Sequence, residues 1–394
     1  MIAHGPAAIP LAMLVVLLST KLMAELAERL GQPGIVGEIL AGLLIGPGVL
    51  GWLAPNELLS ALADLGAMFL LFRVGLEVKS SELMKVGGTA TLVAASGVAV
   101  PFIMGAAILR LWGASLHEAI FVGASMVATS VGITAQVLSS KGLLQAVASK
   151  IILAAAVIDD VLGLLVLAVV SSLVHSRLEI LPLIGTAAAA AAFTLIAARW
   201  GTHAMLRITP KVDRYLNVAE ARFALSMTLL FALAVLAVNI GVAAIVGAFL
   251  AGLALAESAG RRQRDLVQGV SELLVPFFLA GIGLHVELSA FAHAGAAMLA
   301  AAILLAAVAS KFIGCGLGAL GLGRAEAVRV GIGMIPRGEV GMVVAQIGLG
   351  FGVFSREAYT IVVFMSVATT LIAPVLIGMT FRSDAGRGAT SSRV

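Results

Sequence analysis

Asp159 and Asp160 stand side by side in the run Ile151 to Val170, where eighteen of twenty residues are apolar or glycine. A run of that length has the dimensions of a membrane-spanning helix. A charged side chain at the centre of such a helix costs about 2.5–3.5 kcal/mol on insertion scales, so ionisable residues there mark ion or proton pathways by default. Two acids at one depth therefore suggest a cation or proton site. Successive residues on a helix point about 100° apart. The two carboxylates must face different ways, one toward a cavity and one toward a neighbouring helix. Lys311 is the buried base available as a counter-ion, because its own apolar run carries no other charge nearby. A cation that displaces this lysine from a carboxylate, with protonation restoring the first state, would be a switch.

Two further segments carry polar residues where a membrane helix should be apolar. Val127-Ala-Thr-Ser-Val-Gly-Ile-Thr134 places Thr129, Ser130 and Gly132 in one helix, and Met334-Ile-Pro-Arg-Gly-Glu-Val-Gly341 places Pro336, Gly338 and Gly341 in another. Proline removes a backbone donor and glycine weakens a helix. Matched interruptions of this kind point to a binding site at the membrane midplane, built from half-helix ends. Arg337 and Glu339 have the charges to neutralise those ends.

The elements that must hold these residues are membrane helices. The chain is 61% hydrophobic and 12% charged, against about 45–50% and 25% in a soluble domain. Its apolar runs are long and do not alternate, which selects helices over a barrel. A single cysteine, Cys315, excludes an internal disulfide. The six histidines lie at span ends or in loops, which argues against a resident divalent metal. No cofactor is expected. Hydropathy predicts about thirteen spans, near 8–28, 34–52, 58–76, 86–109, 119–138, 151–173, 181–198, 223–238, 242–256, 266–284, 294–320, 330–350 and 358–381. With the N-terminus outside, 18 Lys and Arg fall in cytoplasmic segments and 3 in external ones. That bias places the C-terminus in the cytoplasm. The pI of 9.5 reflects these loop charges and does not argue for nucleic acid. Four bases remain within spans: Lys21, Arg73, Lys311 and Arg337.

The halves of the chain resemble each other at an offset of 208–210 residues. Ile35-Val-Gly-Glu-Ile-Leu-Ala-Gly-Leu43 matches Ile245-Val-Gly-Ala-Phe-Leu-Ala-Gly-Leu253 at seven of nine positions. Phe69-Leu-Leu-Phe-Arg-Val-Gly-Leu-Glu-Val78 matches Phe277-Phe-Leu-Ala-Gly-Ile-Gly-Leu-His-Val286 at five of ten. Mate spans lie an odd number of spans apart and so run in opposite directions. The expected architecture is therefore an all-α polytopic membrane protein with inverted-topology repeats and two interrupted helices. The first repeat covers about 31–173, a linking region 174–222, the second repeat 223–381, and a short tail 382–394. The two aspartates and Lys311 have no charged repeat mates.

Ala128-Thr-Ser-Val-Gly-Ile-Thr134, Ala155-Ala-Val-Ile-Asp-Asp-Val-Leu-Gly163 and Pro336-Arg-Gly-Glu-Val-Gly341 resemble the monovalent cation:proton antiporter-2 family. The likeness is to its NapA-type Na+/H+ antiporters of the NhaA fold, and Gln32-Pro-Gly-Ile-Val-Gly-Glu38 and Val74-Gly-Leu-Glu77 extend it. The resemblance implies thirteen helices with crossed breaks, a six-helix core domain, a dimerisation domain and a homodimer in the cell inner membrane. It implies that Asp160 binds Na+ and carries protons, with Thr129 and Ser130 beside the ion. Asp159 is then the partner of Lys311, and exchange is electrogenic. Pro336, Arg337 and Glu339 support the crossed helices. Kef-type potassium systems share these motifs and add a cytosolic nucleotide-binding domain, which is not expected in this chain. A K+/H+ antiporter using the same residues is the nearest alternative. A Na+-coupled organic anion symporter on the same fold is a second, and it would want a wider cavity with fewer buried acids. Arg73 departs from the family pattern, which has an apolar residue there. Either it snorkels to the cytoplasmic face, or it gates or repels cations near the inner mouth.

Overall fold

A computed structural model describes residues 8–174, 180–215, 218–285 and 294–381. Among them are sixteen α-helices, one 3-10 turn and no strand. In chain order the helices are α1 (Ala8–Arg29), α2 (Gly34–Ile45), α3 (Glu57–Glu77), α4 (Ser80–Lys85), α5 (Gly87–Leu111), α6 (Leu116–Ser125), α7 (Val131–Ser140) and α8 (Val147–Val174). They continue as α9 (Ile180–Tyr215), α10 (Ala221–Ile240), α11 (Ala244–Leu255), α12 (Arg261–Leu284), α13 (Ala294–Gly318), α14 (Arg324–Gly333), α15 (Glu339–Gly350) and α16 (Arg356–Thr380). Seven of these stretches are long and apolar enough to cross a membrane by length and composition. Leu14, Leu18 and Leu22 form an exposed stripe on α1 at helical spacing, a face that suits hydrocarbon and not water.

Each apolar run of the sequence coincides with a helix or with a helix broken once. The second run is helical only to Ile45, because Gly46 turns extended ahead of Pro47, whose ring disfavours the helical region for the residue before it. The seventh run continues as helix far past its apolar end, to Tyr215. Tertiary contacts hold the extension: Ser80 Oγ donates to the Ala198 carbonyl at 2.9 Å, and Gly201 packs against Ala254. The fifth and twelfth runs break where proline, glycine and hydroxyl residues cluster, leaving 126–130 between α6 and α7 and 334–338 between α14 and α15.

The helices pack as two groups. One contains α5, α6–α7, α8, α13, α14–α15 and α16; the other contains α1, α2, α3, α9, α10, α11 and α12. The ends fall into two sets. One end of the molecule gathers the C-termini of α1, α7 and α16 around a cavity of about 890 Å³. The opposite end gathers the N-termini of α3, α11 and α16 with the C-terminus of α12 around a cavity of about 490 Å³. Arg29, Lys141 and Arg261 stand at the first end, called the basic end below.

Close glycine contacts recur in pairs. A Cβ at Gly37 would stand 2.1 Å from the Met23 carbonyl oxygen, and one at Gly247 2.3 Å from that of Leu233. The same holds for Gly42 on Ala280 (2.0 Å) and Gly252 on Phe72 (2.1 Å), and for Gly75 on Phe249 (2.3 Å) and Gly283 on Ile39 (2.2 Å). Gly123 on Phe102 and Gly331 on Phe312 repeat it once more, both at 2.6 Å. In every pair the counterparts lie 208–210 residues apart. Only glycine allows backbones this close, as at the small-residue contacts of membrane helices.

Candidate functional site

The centre of the first helix group is built on Lys311 of α13. Its ammonium and the Asp159 carboxylate of α8 are 2.9 Å apart, and both side chains are fully buried. The ammonium also donates to the Gly97 carbonyl at 2.8 Å and the Val127 carbonyl at 2.7 Å. Three N–H donors thus meet three acceptors, which is what an ammonium needs when it leaves water. Each acceptor has a local cause. Gly97 brings the α5 backbone close, since a Cβ there would stand 2.5 Å from Cys315 Sγ. Val127 lies just past the C-terminal end of α6, where the helix dipole leaves unpaired carbonyls and favours a cation.

Arg337, also fully buried, lies in the second break. One terminal nitrogen donates to the Ala307 carbonyl at 3.1 Å, the other makes a long 3.5 Å contact with the Val127 carbonyl, and its backbone N–H donates to Thr369 Oγ1 at 3.1 Å. Two cations therefore meet one half-helix end. The breaks satisfy each other where they meet: the Ser130 N–H donates to the Pro336 carbonyl at 2.8 Å. Thr134 Oγ1 donates to the Gly333 carbonyl at 2.6 Å, covering the end of α14. A Cβ at Gly338 would come within 2.7 Å of the Ser130 side chain, so glycine is what lets the segments meet.

Asp160 follows Asp159 on α8 and is 6% exposed. Helix α8 packs against both halves of the first broken helix. In the break, Thr129 and Ser130 are 5% and 4% exposed, and neither hydroxyl oxygen has a hydrogen-bond partner among the described residues. Buried hydroxyls with free lone pairs are suited to a hard monovalent cation, which takes oxygen ligands.

The structure thus gathers Asp159, Lys311, Thr129, Ser130, Pro336 and Arg337 at the two breaks. Glu339 opens α15, and its side chain lies outside the described residues. Sequence reading missed the carbonyls of Gly97, Val127 and Ala307; the signal available for the first was Pro101, which lacks the N–H that would pair the Gly97 carbonyl within α5. It also missed the partners of the other two bases within spans. Lys21 pairs with Glu38 at 3.2 Å, and Arg73 donates to Gln136 Oε1 at 3.0 Å.

The family model described as "Sodium/hydrogen exchanger, transmembrane" matches residues 13–383. The Na(+)/H(+)-K(+) antiporter GerN of Bacillus cereus is 32% identical over 372 residues, covering 93% of this chain and 94% of that protein. The high-affinity Na(+)/H(+) antiporter NhaS3 of Synechocystis is also 32% identical, covering 93% of this chain and 88% of its own. Two solved structures of the sodium proton antiporter MjNhaP1 of Methanocaldococcus jannaschii share the fold, with TM-scores of 0.66 and 0.73 at 18% identity; they cover 94% and 96% of this chain and 97% of their own. A polytopic helical bundle with a buried Asp–Lys pair at two helix breaks sits within a known class of membrane ion transporter. The chain belongs to the sodium/hydrogen exchanger family of monovalent cation:proton antiporters.

Proposed function

We propose that the protein exchanges Na+ for protons electrogenically by alternating access, with Asp160 as the shared carboxylate for cation and proton. The observation that carries this reading is the fully buried Asp159–Lys311 pair beside the two breaks; Asp160 is the next residue on α8, and the buried Thr129 and Ser130 lie in the first break, against whose two halves α8 packs. A cation arriving at Asp160 finds oxygen ligands in the first break, and a proton taken up from the opposite side releases it. Lys311 compensates Asp159 while the site is empty, and in this reading more than one proton moves per cation. Opposite cavities at the two ends of the helix groups support alternating access. The basic end is the cytoplasmic end, following the 18-to-3 bias of Lys and Arg. Thirteen membrane crossings follow if each broken helix counts once and α4 lies at the surface. The paired glycine contacts support inverted repeats over about 31–173 and 223–381. A homodimer in the cell inner membrane completes the reading.

In proteoliposomes, Asp160→Asn is expected to abolish exchange while the purified variant stays monodisperse; exchange at the wild-type rate would remove Asp160 from the site. K+ is the second candidate cation, because GerN carries K+ in its name. Replacing Na+ by K+ or Li+ in the same dequenching assay decides between them.

A further inference from the structure

We propose that Arg73 and Gln136 form the cytoplasmic gate latch: their hydrogen bond ties the two helix groups together at the basic end and must break before that end opens. The inference rests on the antiport reading for its direction, and on geometry for its existence. Arg73 is on α3, in the group containing α10–α12, and Gln136 is on α7, in the group containing the Asp–Lys pair. The 3.0 Å bond between them joins one group to the other through side chains. Both residues are half-buried, so the contact is shielded from competing water yet within reach of it.

The repeat shows what Arg73 replaces. Its counterpart 208 residues on is Gly281, which lines the 490 Å³ cavity at the opposite end together with Phe278, Ile282 and Val340. The counterparts of those three are Leu70, Val74 and Val131, all packed in the apolar core. Phe278 and Ile282 belong to that core as well, so the difference between the two ends lies at the glycine's place, where the basic end carries a guanidinium held by Gln136. Gln136 also lines the basic-end cavity, which is where a cation leaving toward the cytoplasm would pass. Glu77, one turn along α3, and Glu272 on α12 are within electrostatic reach of Arg73. They offer it an acceptor within its own group once Gln136 moves away.

A latch that favours the state closed at the basic end has a defined signature. Loss of either partner raises the population open at that end, so the cation's apparent KM falls at the cytoplasmic face and rises at the outer face. For one hydrogen bond to a charged group at a half-buried site the expected shift is about three- to tenfold in each direction. Arg73→Leu and Gln136→Leu are compared with the double variant in proteoliposomes of fixed orientation, and the double is expected to shift no further than either single. A second readout does not require transport: Val74→Cys in a Cys315→Ala background, labelled from the cytoplasmic side with a membrane-impermeant maleimide. Labelling is expected to be about three- to tenfold faster in both variants. Unchanged labelling in both overturns the latch. A shift in Arg73→Leu alone overturns it too, because simple charge repulsion by Arg73 does not need Gln136. Faster labelling in a protein that exchanges no monovalent cation would leave the latch standing and sink the antiport reading.

Discussion

Lys311 is surrounded by three acceptors of different origin, and only Asp159 is charged. Removing the lysine leaves a buried carboxylate and the Gly97 carbonyl without this donor, and the Val127 carbonyl with only the long Arg337 contact. Lys311→Ala is therefore expected to destabilise the protein by about 3–5 kcal/mol, the usual cost of breaking a buried ion pair, read as a lower thermal midpoint. Lys311→Ala combined with Asp159→Asn should recover part of that loss, since the uncompensated charge is gone; a double variant no more stable than Lys311→Ala would refute the pairing energetics. Thr129 makes the opposite case. Its hydroxyl oxygen has no hydrogen-bond partner among the described residues, so Thr129→Val should leave the thermal midpoint nearly unchanged while raising the apparent KM for the cation about tenfold, the effect of losing one buried polar contact. An unchanged KM would take Thr129 out of the ion's coordination.

The broken helices depend on how closely their middles approach. Ser130 and Gly338 are repeat counterparts and touch each other, so Gly338→Ala pushes the crossing apart at its centre and should abolish exchange. At the paired glycines, Gly42→Ala and Gly252→Ala each insert a methyl group into a carbonyl of the facing helix. Overpacking of this kind costs about 1–3 kcal/mol or more. The two-fold relation predicts similar losses for both, which thermal unfolding of the detergent-solubilised protein would test. A smaller tie joins the surface helix α4 to α8, where Lys150 and Glu82 are 2.7 Å apart. The Lys150 ammonium holds the Glu82 carboxyl below the ordinary glutamate range. A depressed carboxylate pKa stabilises the fold above the unfolded value of about 4.3 and loses that contribution as pH falls through the folded value. Glu82→Gln should lower the thermal midpoint slightly at pH 7, and the gap should begin to narrow below the unfolded value of about 4.3 and close only as pH falls through the lower folded value.

As a whole, the molecule offers a cavity at each end of two helix groups, with a charged pair in one of them. The proposed stoichiometry makes transport sensitive to voltage. Exchange is expected to speed up under an imposed inside-negative potential when protons enter and Na+ leaves; a rate indifferent to voltage would mean one-for-one exchange. The proposed alternating access requires the cavity opposite the basic end to close, and that closure can be blocked directly. Ala63 and Val343 line it from different groups, so cysteines at both, joined by a bifunctional thiol reagent in a Cys315→Ala background, should arrest exchange, whereas the monofunctional reagent should slow it less.

The membrane class, the positions of the apolar helices and the two breaks were legible in residue type and spacing. Transfer free energy acts locally along the chain, and proline, glycine and hydroxyl residues weaken a helix wherever they stand. The offset repeat was legible for the same reason, because glycine is forced at each close contact and the contacts come twice. The partners were not. That Lys311 is shared between a carboxylate and two backbone carbonyls, that the Arg337 guanidinium reaches the Ala307 and Val127 carbonyls, that Lys21 turns to Glu38 and that Arg73 turns to Gln136 depended on which helices pass close to one another. The sequence determined that buried bases needed acceptors. Tertiary packing decided which acceptors they met, because the carbonyls of Gly97 and Ala307 lie inside helices and that of Val127 in a break, and only packing brings all three to the buried bases.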